Sequence, residues 1–369
     1  MKATKALFLP RHKLNDLFQS FIQSGFNIIT PIVQNGSLRY HQIRHANEIT
    51  PGAIDDSHMG KITLAKTKSP RFYSFTTTEQ SIKPWVFSPK EVLWQSDHSQ
   101  STITFKSTPP NTQPTLVFGI KGCDLAGLNL LDQHFNKDPS PDPHYQQRRA
   151  SLSLIGLNCH RSGANCFCNS TQDGPKIETD TCDALMSELD EGFIFHHSQT
   201  DLHARLTSLK LSPATPEQLR QAEYETQAAA AEQQKKLPKI SSTDLFEQDN
   251  HPEWEKVAER CLSCGNCTAV CPSCFCHTIE AKPTLSNTSE QTRQWDSCFT
   301  TQHSYLHGIY IRPERIHRYR QWLTHKFSGW QAQYGRIGCT GCGRCITYCP
   351  VGIDPSQALQ TLLRRQEDI

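Results

Sequence analysis

The sequence lacks a long apolar run, a marked excess of one charge and a nucleotide-binding fingerprint. Its 369 residues include 38 Lys or Arg and 36 Asp or Glu, a formal net charge of +2, which argues against a strongly basic nucleic-acid-binding protein. No apolar run approaches the roughly 18–20 residues of a membrane helix, and the apolar stretch that ends at Pro10 is too short for a secretion signal. No G-x-G-x-x-G or phosphate loop indicates flavin or NAD(P) binding. We therefore expect a soluble cytoplasmic chain with neither a membrane span nor a nucleic-acid partner.

What the sequence does contain is cysteine, 16 residues in all, unevenly placed. None precedes Cys123, five lie between Cys123 and Cys182, and eleven lie between Cys261 and Cys349. Thiols stay reduced in the cytosol, so such clusters indicate metal or redox chemistry rather than disulfides. The step in cysteine density predicts an N-terminal part and a cysteine-rich C-terminal part.

The N-terminal part has the pattern of an α/β domain. Continuous apolar runs at 115–120 and 152–157 are typical of buried strands, and a third strand is expected at 192–196. Apolar residues recur at helical spacing over 14–22 and 124–135. We predict an α/β N-terminal domain over residues 1–211 and a helix-rich, ferredoxin-like dicluster domain over residues 251–369. Residues 212–250 form a polar connector in this interpretation, and a polar helix packed on the N-terminal part is the alternative.

The strongest signal is one cysteine string that occurs twice, C-x2-C-x2-C-x3-C-P, beginning at Cys261 and again at Cys339. Three thiolates on a tight loop can hold three corners of a 4Fe-4S cluster, and in two-cluster ferredoxins the fourth Cys ligates the other cluster. Two separated pairs of ligands are more typical of structural zinc. The first predicted cluster is ligated by Cys261, Cys264, Cys267 and Cys349, and the second by Cys339, Cys342, Cys345 and Cys271.

Four more cysteines could form a third site: Cys123, Cys159, Cys166 and Cys168. Cys123 follows one predicted strand and Cys159 follows the next. Adjacent parallel strands would bring both to one edge of a sheet, where α/β proteins build sites. A third 4Fe-4S cluster is the favoured interpretation, while a mononuclear zinc site and simple packing of the thiols stay open.

The remaining cysteines have no settled role. Cys274, Cys276 and Cys298 are interpreted as lining the interior of the C-terminal part. Ligation of a further cluster and redox-active thiol chemistry stay open as alternatives, the latter requiring an exposed thiol of low pKa. Cys182 stands alone, without a partner at a metal-binding spacing.

Several segments together resemble a known family. They are SPKEVLW at 88–94, FGIKGCDLAGL at 118–128, GLNCHRSGANCFC at 156–168, RQWDSC at 293–298 and HKF at 325–327, with both cysteine strings. The chain resembles the iron–sulfur β subunit of cytosolic sulfhydrogenases, which are NAD(P)-linked nickel–iron hydrogenases, and the A subunit of anaerobic sulfite reductase.

The resemblance implies an electron-transfer subunit rather than a catalytic one. Its expected partners are a flavoprotein diaphorase subunit, which handles NAD(P)H, and a catalytic hydrogenase or sulfite reductase subunit. The alternative is a redox enzyme that uses Cys274, Cys276 or Cys298 in disulfide or persulfide chemistry. Neither the terminal catalyst nor the direction of electron flow follows from the sequence.

Overall fold

The computed structural model describes residues 6–97, 102–137, 139–198, 200–283 and 287–364. The strands are β1 Leu7–Pro10, β2 Asn27–Gln34, β3 Ser37–Ile43, β4 Ala53–His58, β5 Lys61–Lys66, β6 Lys90–Asp97, β7 Thr104–Ser107, β8 Thr115–Ile120, β9 Leu152–Leu157, β10 Ala184–Glu188, β11 Gly192–Ser198, β12 Ser212–Pro213, β13 His277–Pro283, β14 Thr288–Trp295, β15 Tyr305–Leu306 and β16 Ile309–Tyr310.

The helices are α1 Leu14–Ile22, α2 Lys83–Val86, α3 Gly122–Phe135, α4 Pro143–Ala150, α5 Cys168–Thr171, α6 Thr200–Ser208, α7 Pro216–Ala231, α8 Glu253–Arg260, α9 Asn266–Ala269, α10 Arg315–Thr324, α11 Trp330–Tyr334, α12 Arg344–Thr347 and α13 Pro355–Leu362. A π-helical segment, His325–Gly329, joins α10 to α11. Among the described residues, no helix combines the length and the apolar character needed to cross a membrane.

The N-terminal part is built on an eight-stranded mixed sheet in the order β12-β1-β11-β10-β9-β8-β2-β3. Four neighbouring strands of this sheet, β10, β9, β8 and β2, are parallel to one another. Every residue of β8 is buried, as expected for an apolar strand covered on both faces. The three predicted strands are β8, β9 and β11, and the α/β character of this part is confirmed.

Helices cover the two faces of this sheet and form two apolar cores. Leu116 and Phe118 of β8 face one core, which also contains buried residues of α1 and α6. Val117 faces the other core, with residues of α2, α3 and α4. This alternation follows from the two-residue period of a strand. The carboxyl ends of β8 and β9 lie at the same edge of the sheet, because the two strands are parallel neighbours.

Helix α7 packs on the N-terminal part, so residues 216–231 do not form a free linker. Its Thr226 and Ala229 are buried, and Glu225 accepts hydrogen bonds of 2.7 and 2.9 Å from Arg71. The helix ends at Ala231, seven positions before Pro238. A capping box at Thr215 starts it.

A second sheet joins the two parts of the chain. Its order is β13-β14-β6-β7, so that a hairpin between the two cysteine strings pairs with a strand from the N-terminal part. In the antiparallel register, Gln291 lies opposite Trp94 and Arg293 opposite Glu91. The boundary expected near residue 250 is therefore bridged by a shared sheet, and the C-terminal part contains strands as well as helices.

The C-terminal part has its own apolar core around α8, α10 and α13. Trp254, Tyr319, Trp322, Phe327 and Leu359 are buried there. Tyr319 and Trp322 belong to α10, and Phe327 belongs to the π-helical segment that follows it. Several cysteines of the two strings border this core, so its helices hold the strings in place.

Candidate metal centres

The first cysteine string and the last cysteine of the second string enclose one cavity. It has a volume of about 30 Å³. Its lining includes Cys261, Cys264, Cys267 and Cys349, which we call site one. Gly265 lies in the left-handed region with φ of 75°, a conformation that glycine adopts without penalty. This turn starts α9 and brings Cys267 back towards Cys261.

The second string repeats this local geometry. Gly343 has φ of 74° and precedes α12, as Gly265 precedes α9. Burial, helped by the neighbouring thiols of Cys342 and Cys271, raises the pKa of the Cys339 thiol to about 12. Burial also raises the pKa of Cys345, where Cys339, Cys342 and Cys271 again act. We call Cys339, Cys342, Cys345 and Cys271 site two.

Backbone amides donate hydrogen bonds to three of these sulfurs. The donors are Ser263 N to Cys261 Sγ at 3.4 Å, Gly341 N to Cys339 Sγ at 3.4 Å and Ile353 N to Cys349 Sγ at 3.2 Å. Such bonds stabilise the negative charge of a bound sulfur ligand. Gly265 and Gly343 contribute through their positive φ, and other residues donate these three hydrogen bonds.

Sites one and two adjoin each other. Cys345, assigned to site two, lines the cavity of site one. Cys267, assigned to site one, lies near enough to Cys345 to raise the pKa of its thiol. The two groups of four thiols are thus neighbours within one packed unit.

The four cysteines of the N-terminal part converge as a third group, which we call site three. Cys123 begins α3 after β8, and Cys159 follows β9, as expected at the carboxyl edge of parallel strands. Burial raises the pKa of Cys166 to about 12, and Cys159 adds to the increase. Burial likewise raises the pKa of Cys168, with Cys166 and Cys159 as the next contributions.

Site three lies directly against site two. Cys123, Cys168 and Cys342 form one buried cluster. Phe167 N donates to Gly341 O at 2.8 Å, and a Cβ atom on Gly341 would lie 2.5 Å from Cys168 Cα. Only a residue without a side chain fits between these loops, so the glycine of the second string lets the two sites touch.

A buried ion pair crosses the same boundary. Arg344 Nη1 and Nη2 donate to the two carboxylate oxygens of Asp124 at 2.5 and 2.9 Å, and both side chains are almost fully inaccessible to solvent. Asp124 follows Cys123 in sequence, and Arg344 precedes Cys345. The pair therefore fixes a ligand loop of site three relative to a ligand loop of site two.

Two buried lysines approach site two, and sequence reasoning missed one of them. Lys326 Nζ lies 3.5 Å from Cys271 Sγ and donates to Ser273 Oγ at 3.0 Å. Lys83 Nζ donates to the carbonyls of Thr268 and Cys274, each at 3.2 Å. Lys326 ends the basic run 312–326, for which both a solvated helix face and neutralisation of cluster charge are possible from the sequence, and it is only 4% exposed. The HKF motif was the signal for it.

The donor sets fit iron–sulfur clusters better than single ions. Zinc with Zn–S bonds of about 2.3 Å would draw four sulfurs to within roughly 4 Å of one another. Within the described ranges, no three His, Cys, Asp or Glu side chains are grouped so as to hold one ion. Each site instead brings four cysteines together, the number of thiolates that a 4Fe-4S cluster needs, and backbone N–H groups donate to sulfurs of sites one and two.

Cys182 is placed outside all three sites. Its side chain is buried beside Gly156 in the core between the sheet and α3. It therefore has the packing role of a small apolar residue. Cys274 is hydrogen-bonded to Cys271 of site two. Cys276 and Cys298 contact each other, and none of these three cysteines is among the twelve of the three sites.

Comparison with known proteins agrees with this geometry. Residues 260–353 match the family of 4Fe-4S dicluster domains. Over 250 residues the chain is 31% identical to sulfhydrogenase 2 subunit beta of Pyrococcus furiosus, an alignment covering 66% of this chain and 72% of that relative. No solved structure matches the chain. The chain belongs to the family of sulfhydrogenase beta subunits, which are iron–sulfur electron-transfer proteins.

Proposed function

We propose that sites one, two and three each hold a 4Fe-4S cluster and that the chain relays single electrons along them. The supporting observation is that the sites adjoin in a row. Site two borders site one through Cys345 and site three through Cys342. Electron transfer between centres needs such proximity, and a subunit with three neighbouring centres has the form of a conduit.

The protein's own residues would set the properties of each centre. A bound cluster supplies reversible one-electron chemistry. Amide donors at Ser263, Gly341 and Ile353 stabilise charge on the ligand sulfurs. Lys326 adds a buried positive charge at Cys271. Hydrogen bonds, charge and burial are the factors that shift cluster potentials; site one receives two of the three amide donors, and site two receives the buried positive charge.

We further propose a flavoprotein diaphorase subunit as one partner and a catalytic hydrogenase or sulfite reductase subunit as the other. The chain carries no nucleotide fingerprint of its own, so electrons from NAD(P)H require a separate flavoprotein. Cys264 of site one is exposed, which gives one end of the row a contact with solvent or with a partner. The choice of these two partner subunits rests on the family resemblance, and the position of site one at an end of the row rests on the order of the sites.

The number of clusters is tested by metal analysis of the anaerobically purified chain. Three clusters require about twelve iron atoms and twelve acid-labile sulfides per chain. Cys166→Ser should lower iron content by about a third and leave two reducible centres, whereas Cys182→Ser, a buried cysteine outside the sites, should leave it unchanged. Equal iron content in wild type and Cys166→Ser would contradict a cluster at site three.

The partner assignment is tested by reduction with NADPH or NADH. The isolated chain should stay oxidised with either nucleotide and should become reduced when the flavoprotein subunit of the same complex is added. Rapid reduction of the isolated chain by a nicotinamide nucleotide would show that no separate flavoprotein is required.

A further inference from the structure

Cys276 and Cys298 form a pair of thiols outside the three sites. Cys276 precedes β13 and Cys298 follows β14, and the two strands are antiparallel with His277 opposite Trp295. Asp296 N donates to Cys276 O at 2.9 Å, which extends this ladder by one pair. The turn after Asp296 then brings the Cys298 side chain into hydrogen-bonding contact with the Cys276 thiol. Both residues are partly exposed.

A histidine and a carboxylate stand next to this pair. His303 Nδ1 lies 2.9 Å from Asp296 Oδ2, and the His303 side chain also contacts the Cys276 thiol. The other carboxylate oxygen of Asp296 accepts from Ser297 N at 2.7 Å and Thr300 Oγ1 at 2.8 Å. The carboxylate is thereby held in place and orients the imidazole. A nucleophile, a base in contact with it and a group that orients the base make the arrangement of an activated thiol.

Cys276 also faces a cleft. The cleft has a volume of about 350 Å³ and is lined by Cys276, Cys274, Trp295, Asp296, Lys83 and the site-one cysteine Cys264, among others. Cys298 and His303 are not part of its lining. One thiol is thus placed to meet a molecule in the cleft, while the second lies behind it, as an attacking and a resolving cysteine would be.

We propose that Cys276 and Cys298 form a thiol–disulfide exchange site whose substrate is a low-molecular-weight disulfide bound in this cleft. The Cys276 thiolate attacks one sulfur of the substrate, which forms a mixed disulfide and breaks the substrate's S–S bond. Cys298 then attacks Cys276 Sγ and expels the second half of the substrate. The two protein thiols and one small disulfide become one protein disulfide and two small thiols, and the two protons pass to the products.

The charge state of Cys276 is consistent with this role. Hydrogen bonding from Cys298, followed by that from His303, lowers the pKa of Cys276 to about 4 although burial opposes the shift. The pKa of His303 is raised, first by its hydrogen bond with Cys276. A thiolate stabilised by a protonated imidazole is the attacking species in exchange reactions.

The experiment uses the full-length, cluster-containing chain, incubated anaerobically with oxidised glutathione, alkylated and analysed by peptide mass spectrometry. Wild type should yield a Cys276–Cys298 disulfide peptide. Cys298→Ser should stop at glutathione attached to Cys276. Cys276→Ser should leave Cys298 at least ten-fold less modified. Cys182→Ser serves as the matched cysteine control and should behave as wild type.

The role of His303 has a separate readout. Alkylation of Cys276 should vary little between pH 6 and 8 in wild type, whereas in His303→Gln it should increase more steeply across this range, because the thiolate loses the imidazole's share of its stabilisation and keeps only that from Cys298. Iron content is measured on every variant. Full iron with neither a disulfide nor a mixed disulfide would overturn the exchange site and leave the clusters unaffected. Loss of iron in Cys276→Ser and Cys298→Ser would instead identify the two cysteines as metal ligands, and this result would also refute the exchange site.

Discussion

Replacement of Arg344 by Met should destabilise the contact between site two and site three more than any comparable surface change. Arg344 makes two charge-assisted hydrogen bonds to Asp124 and donates to the carbonyl and hydroxyl oxygens of Thr78 at 2.7 and 3.0 Å. Met keeps much of the side-chain volume and removes all of these donors. Asp124 would then be a buried carboxylate without its cation, and water could not reach it to solvate the charge.

The magnitude follows from the burial of both partners. The relative side-chain exposures of Arg344 and Asp124 are 0% and 1%, and removal of one partner of a buried pair costs about 3–5 kcal/mol. For domains of 150–250 residues about 1 kcal/mol shifts the unfolding midpoint by 2–4 °C. The shift per kcal/mol becomes smaller as the chain becomes longer, so for 369 residues we use about 2 °C per kcal/mol. We therefore expect the unfolding midpoint of Arg344→Met to decrease by roughly 5–10 °C. The same substitution should also cause loss of iron from site three.

The assay follows far-UV circular dichroism and the visible absorbance of the bound clusters during anaerobic heating at a fixed scan rate. Arg39→Met is the matched control, because Arg39 pairs with Glu79 with its side chain 52% exposed, and surface pairs contribute little. Arg344→Met combined with Asp124→Leu should recover part of the loss, since no buried charge is then unpaired. If Arg344→Met were as stable as Arg39→Met, the pair would not hold these sites together.

Three further predictions concern single residues. Gly341→Ala should selectively lose iron from site three, because the added Cβ would lie 2.5 Å from Cys168 Cα; unchanged iron would contradict the close packing. Lys326→Met should make the potential of one cluster more negative in a redox titration followed by electron paramagnetic resonance, because a positive charge 3.5 Å from Cys271 Sγ is removed, whereas the exposed Lys256→Met should not. Burial lowers the pKa of His134 to about 4, so its contribution to stability should be lost as pH falls from about 6.5 towards 4. His134→Phe should flatten the dependence of stability on pH in this window, and an unaltered dependence would exclude His134 as its source.

Patterns that depend on local sequence were predicted well. The apolar runs that became β8 and β9 are distinctive because both faces of these strands are covered. The two cysteine strings determine tight loops because the spacing leaves little freedom, and Gly265 and Gly343 occupy the left-handed positions those loops require. The positions of Cys123 after β8 and of Cys159 after β9 also followed from the rule that parallel strands end at one edge.

Features that depend on distant partners were not predictable in the same way. The hairpin of β13 and β14 is rich in Thr, Gln, Glu and Lys, so it lacks the apolar alternation of a half-buried strand, and its partner β6 is about 200 residues earlier. Helix α7 buries Ala222, Thr226 and Ala229, which are small residues that leave no strong amphipathic signal. The pairing of Arg344 with Asp124 and the contact of Cys276 with His303 likewise arise only in the folded chain.

The most direct test of the account is a reductive titration of the anaerobically purified chain, with electron paramagnetic resonance at low temperature and metal analysis of the same sample. We predict about three electrons taken up per chain, iron and sulfide in equal amounts, and signals that broaden through magnetic interaction because the three centres adjoin. Stoichiometric zinc, no visible charge-transfer absorbance and no paramagnetic signal on reduction would contradict the electron relay.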